Sequence, residues 1–119
     1  MANSLEAVGL SLGAAGQKVP VIMTNSSGVP VTGLTSPTIT ASKAGALFAS
    51  LSDGAWEEVG NGLYTIQLNG TDTDTLGWIM IHISHGSAES AFVQGNVSIS
   101  SSEERSNYLR VRRANLSYV

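Results

Sequence analysis

The chain has 119 residues, 42% of them apolar and 13% charged, with a net charge of −3 and no cysteine. That length fits one folded domain, and the apolar share is too high for a chain held open by its charges. Disulfide frameworks and thiolate-ligated zinc are excluded, and no apolar run approaches the roughly 20 residues that cross a bilayer.

The charged share is about half that of an average globular protein, so Ser, Thr, Asn and Gly supply much of the polarity, a composition suited to β-structure with many turns. Met1–Glu6 lacks a basic stretch followed by an apolar one, so synthesis and folding in a cytoplasm are expected. Val19-Pro20-Val21-Ile22-Met23 reads as the first strand, ending at the turn Asn25–Gly28, and Val29-Pro30-Val31 resumes an extended path. Pro20 and Pro30 cannot donate to a ladder, which assigns them to strand ends, edges or bulges.

Thr38–Ser42 alternates, Lys43–Ala46 turns the chain into Leu47–Leu51, and Asp53-Gly54 turns it again before Trp56–Val59. Gly60-Asn61-Gly62 then joins Trp56–Val59 to Leu63–Leu68 in the clearest hairpin signal of the chain, because Asn and Gly tolerate the positive φ of a tight hairpin turn. Alternation puts Leu63, Thr65 and Gln67 on one face of that strand and Tyr64, Ile66 and Leu68 on the other. The polar connection Asn69–Gly77 predicts one short helical turn, with Thr71 or Asp72 as N-cap and Gly77 closing it.

In Trp78–His85, Ile79, Ile81 and Ile83 share a face taken as core, while Trp78, Met80, His82 and Ser84 share the other. Ala91–Ile99 is the last strand of the body, with Gly95 marking a bulge. About seven short strands at fairly regular spacing predict an all-β fold, an antiparallel β-sandwich over residues 1–100.

Residues 101–119 differ in kind, as a C-terminal extension or arm. They carry four Arg against two Glu, net +2, whereas residues 1–100 carry two Lys against seven acids, net −5. Its apolar and basic residues, Tyr108, Leu109, Arg110, Val111, Arg112, Arg113, Leu116 and Tyr118, are the candidate assembly interface, in helical or extended form alike. An acidic neighbouring copy suits such a segment at least as well as a nucleic acid does, so no nucleic-acid partner is expected, and no membrane.

His82 and His85 stand three residues apart on a strand, point to opposite faces and so do not grip one metal. Asp72, Asp74 and Asn69 could offer oxygens to calcium, but the loop lacks the central Gly and terminal Glu of a twelve-residue calcium loop. No nucleophile elbow, phosphate loop or marked carboxylate pair is present, so neither catalytic residues nor cofactors are expected. Trp56, Tyr64 and Trp78 are the candidate ligand-stacking residues, which would serve a carbohydrate- or host-surface-binding module.

Three stretches carry a family likeness: Gly28–Thr35, Thr40–Ala49, and Trp56–Leu68 running into Thr71–Gly77. The "GNGLY" hairpin followed by "TDTDTLG" is the most specific, and this third stretch covers about a fifth of the chain. The sequence resembles the small Ig-like β-sandwich modules of tailed-bacteriophage virion proteins, among them baseplate, tail-fibre-attachment and decoration components. The resemblance implies an Ig-like sandwich that joins or decorates parts of a particle, with copies of itself and other virion proteins as partners and the virion as its place, after assembly in the host cytoplasm. The alternative is adhesion to a cell-surface glycan.

Overall fold

A computed structural model describes residues 7–99. They form eight strands: β1 (Val8–Ser11), β2 (Gln17–Ile22), β3 (Thr38–Lys43), β4 (Ala49–Ser50), β5 (Ala55–Gly60), β6 (Leu63–Leu68), β7 (Gly77–His85) and β8 (Ala88–Ser98). One sheet has the order β1-β8-β7-β3-β4 and the other β2-β6-β5. Every pairing is antiparallel except β1 with β8, where Val8 to Ser11 run parallel to Gly95 to Ser98. The expected all-β sandwich is what these residues form.

The alternation that predicts the core also places it. Tyr64, Ile66 and Leu68 of the central strand β6 are fully buried, as are Ile79, Ile81 and Ile83 of β7 at 1% exposure or less. These two rows form one cluster with Val19 and Val21 of β2, Leu10 of β1, Ala41 of β3 and Val97 of β8. Each fully buried aliphatic side chain contributes roughly 1.5–3 kcal/mol, so the two facing rows supply a large part of the drive to fold.

Local chemistry explains where strands stop. Pro20 sits opposite Thr65 in β2, and among the described residues β6 is the one strand paired with β2, so the missing N–H falls on a free edge. The β5–β6 turn has Asn61 at φ 55° and Gly62 at φ 84°, the paired positive values that a two-residue hairpin turn requires. A Cβ on Gly62 would stand 2.5 Å from Pro30 Cβ, so the hairpin tip packs on the β2–β3 connection as only glycine allows.

After β2 the chain holds a single bridge, Thr24 to Pro30, as it passes through Val29–Val31. Four expectations are corrected. Leu47–Leu51 shortens to the two-residue β4, leaving Leu47 92% exposed. An additional strand, β1, is present because its backbone pairs with β8, a partner nearly ninety residues away that local pattern does not reveal.

The Asn69–Gly77 connection makes a single turn, in which the Asp72 and Thr73 N–H groups donate to Asn69 O, but Gly77 does not close it, since that residue begins β7. Its capping residue is Asn69, whose Oδ1 accepts the N–H groups of Thr71 and Asp72, both at 3.0 Å. Gly95 pairs regularly with Val8 and Ile79 and is no bulge, because a Cβ there would lie 2.7 Å from Leu10 Cδ1 and 3.1 Å from Ile79 Cγ2. The register shift of that hairpin falls instead between Ile83 and His85.

Candidate interaction face

The same parity that buries the isoleucines of β7 turns Trp78, Met80, His82 and Ser84 away from the core. Cross-strand pairing extends this outer face in rows: Trp78 with Asn96, Met80 with Gln94 and Ser42, His82 with Phe92 and Thr40, and Ser84 with Thr38. Ser50 of β4 adds to the His82 row through Thr40.

The β3–β4 loop bends over this face. Ser42 Oγ donates to Ala46 O at 2.5 Å, and a Cβ on Gly45 would lie 3.8 Å from Trp78 Cζ2. Phe48, at the end of the loop, meets His82 edge-on with centroids 6.4 Å apart and Phe92 with centroids 6.5 Å apart, while His82 and Phe92 lie 4.6 Å apart. The result is an aromatic trio with Trp78 at the opposite end of β7. Phe48 is 49% exposed, Phe92 56% and Trp78 41%, so a large apolar area faces solvent.

No charged residue stands in these paired rows. Lys43, at the end of β3, turns to the β6–β7 connection, where its Nζ donates to Thr71 O at 2.7 Å and to Asp74 Oδ1 at 3.0 Å. That ammonium, with the Thr75 hydroxyl, holds the Asp74 carboxyl below its ordinary value. Lys18 and Glu57 pair on the small sheet at 3.5 Å, and Glu58 Oε1 accepts the Gly33 N–H there. An aromatic, charge-free surface on an otherwise acidic body has the composition of the core of a protein interface.

The three residues singled out for ligand stacking do not share a face. Trp56 and Tyr64 belong to the small sheet and stack on each other, whereas Trp78 lies on the five-stranded sheet. Tyr64 is fully buried, its hydroxyl donating to Val31 O and accepting from Leu34 N–H. The arm residues Tyr108, Leu109, Arg110, Val111, Arg112, Arg113, Leu116 and Tyr118 lie outside the described residues.

The two histidines go separate ways, as their spacing requires. His82 joins the aromatic trio, while His85 Nε2 donates to Thr35 O at 2.9 Å and its Nδ1 accepts the Ser87 N–H at 3.0 Å. Asp72 is 2% exposed, and its carboxylate accepts the N–H groups of Ser52, Asp53 and Asn69 at 2.6 to 3.1 Å. With Asp74 turned to Lys43, the two aspartates serve different partners and share no ligand site. Among the described residues no group of three or more His, Asp or Glu is gathered for a metal.

Sequence reasoning missed Phe48 and Phe92. The available signal was the parity of β7: once Ile79, Ile81 and Ile83 are assigned inward, His82 points outward, and a β7–β8 hairpin turning at Gly86-Ser87 brings Phe92 beside it. No protein-family model matches the chain, and no curated protein matches it in sequence.

Proposed function

We propose that this chain is a non-catalytic β-sandwich module of a tailed-bacteriophage virion, held in the particle through the outer face of its five-stranded sheet. The observation that carries the reading is the exposed, charge-free cluster of Phe48, His82 and Phe92 with Trp78 on the same face. Two further features support it. The partition of strands, β2-β6-β5 against β8-β7-β3-β4, is that of strands B, E, D and G, F, C, C′ in immunoglobulin-type sandwiches. The likeness of the Asn61 hairpin and the Thr71–Gly77 connection to phage modules supplies the particle.

A glycan-binding module would draw on the same rings, but a sugar stacks best on rings lying flat. Phe48 stands at 72° to His82 and 62° to Phe92, a ridged surface better suited to interlocking protein side chains. Immunogold labelling of particles banded from a lysed culture, with an antibody against the chain, tests the proposal. Label at a fixed place on the particles is expected; a chain left wholly in the soluble fraction contradicts it. Saturable binding on a glycan array would favour adhesion instead.

A further inference from the structure

We infer that the outer face of the five-stranded sheet pairs with the same face of a second copy of this chain, with Trp78 of each copy seated on the Phe48–His82–Phe92 cluster of the other. The inference rests on the assembly reading above and names its first partner.

Charge selects the partner. The described residues hold Lys18 and Lys43 against Asp53, Glu57, Glu58, Asp72, Asp74 and Glu89, which is 2 − 6 = −4. Two such bodies repel least where neither presents charge at the contact. The small sheet fails that condition, since its outer face carries the Lys18–Glu57 ion pair, which self-docking would have to bury. The rows from Thr38–Ser84 to Trp78–Asn96 satisfy it, because they offer only apolar, aromatic and uncharged polar side chains. A partner of strong charge would find no counter-charge on these rows.

Geometry selects the arrangement. Trp78 and His82 are four residues apart on β7, about 13 Å at roughly 3.3 Å per residue, with Met80 midway between them. A two-fold axis lying in the interface, crossing β7 at Met80 and perpendicular to the strand, reverses the strand direction. It therefore lays Trp78 of each copy over the aromatic trio of the other, once at each end. Sheets packed face to face lie about 10 Å apart and nearly aligned, which side chains of this size fill. Ring planes already tilted to one another leave an edge and a face for the incoming indole, the geometry that aromatic contacts prefer. Gln94 and Asn96 beside them supply uncharged hydrogen-bonding groups, as an interface rim does.

The absence of cysteine makes the test clean, because an introduced thiol is the only one. Sedimentation of the full chain is expected to show a dimer. A short bis-maleimide should link the Met80→Cys chain into covalent dimers, and leave the Val59→Cys chain, whose site is exposed on the small sheet, unlinked. Trp78→Arg and Phe92→Arg, each counted twice by symmetry, should weaken the dimer about tenfold or more, while Val59→Arg leaves it unchanged. Thermal melts should show the arginine variants still folded. A wild-type monomer, linking through position 59 rather than 80, or a dimer indifferent to Trp78→Arg and Phe92→Arg overturns the pairing. If the wild type is monomeric yet Phe92→Arg is still excluded from particles, the pairing fails and the assembly reading stands. If Phe92→Arg enters particles as the wild type does, the assembly reading fails.

Discussion

Trp56 lies flat on Tyr64, with ring centroids 4.5 Å apart and planes 13° from parallel, and the two side chains tie down the same stretch of loop. Tyr64 Oη donates to Val31 O at 2.7 Å and accepts the Leu34 N–H at 3.2 Å, while Trp56 Nε1–H donates to Leu34 O at 3.0 Å. Two aromatics of the small sheet thus fasten the β2–β3 connection across the open side of the core. Their part is structural.

Tyr64→Phe keeps the ring but leaves the Leu34 N–H and Val31 O without their partner. The expected loss is roughly 1–3 kcal/mol, read as a lower urea midpoint with an unchanged slope. Tyr64→Ala also removes the stack and leaves a cavity, and should cost about 3–5 kcal/mol.

Asp72 and Asp74 are alike in sequence and opposite in role. Asp72→Ala strips three backbone N–H groups of their acceptor and releases the β4–β5 loop from the β6–β7 connection, at a cost of roughly 2–3 kcal/mol by chemical denaturation. Asp74→Ala removes an exposed ion pair with Lys43 and should leave the melting curve where it was.

Asp74 should titrate below an ordinary aspartate, first because the Lys43 side chain hydrogen-bonds its carboxylate and then because Thr75 does. A carboxyl lowered in the folded state stabilises above its unfolded value, and that contribution fades as pH falls through the folded value. Solvent screens the pair, so the effect on stability is small. Carbon NMR of the carboxyl should show the depressed midpoint, and Lys43→Met should move it back up.

Gly95→Ala would press a methyl on Leu10 and Ile79, where β1 joins the sheet. A destabilisation of about 1–3 kcal/mol is expected, with faster amide exchange along Val8–Ser11 than elsewhere in the sheet. Uniform exchange changes would place the strain elsewhere.

The buried rows were legible because alternation is local: Tyr64, Ile66 and Leu68, then Ile79, Ile81 and Ile83, announce their faces within single strands. The Asn61-Gly62 turn was legible because its residue types are those its dihedral angles demand. What escaped depends on distant chain. Val8–Ser11 is a strand only because β8 lies beside it, Gly95 is a glycine because of Leu10 and Ile79, and Asp72 is a clamp because Ser52 and Asp53 come to it. The candidate face escaped in part for the same reason: His82 and Phe92 are neighbours across the β7–β8 hairpin, but Phe48 reaches them from the distant β3–β4 loop.

Hydroxyl-radical footprinting of the chain, isolated and then within its assembled particle, probes most directly which face is held. Phe48, Trp78, Met80 and Phe92 should lose most of their oxidation on assembly while Trp56 keeps its own. Protection of Trp56 and the small sheet, with those four residues as reactive as before, would contradict the account.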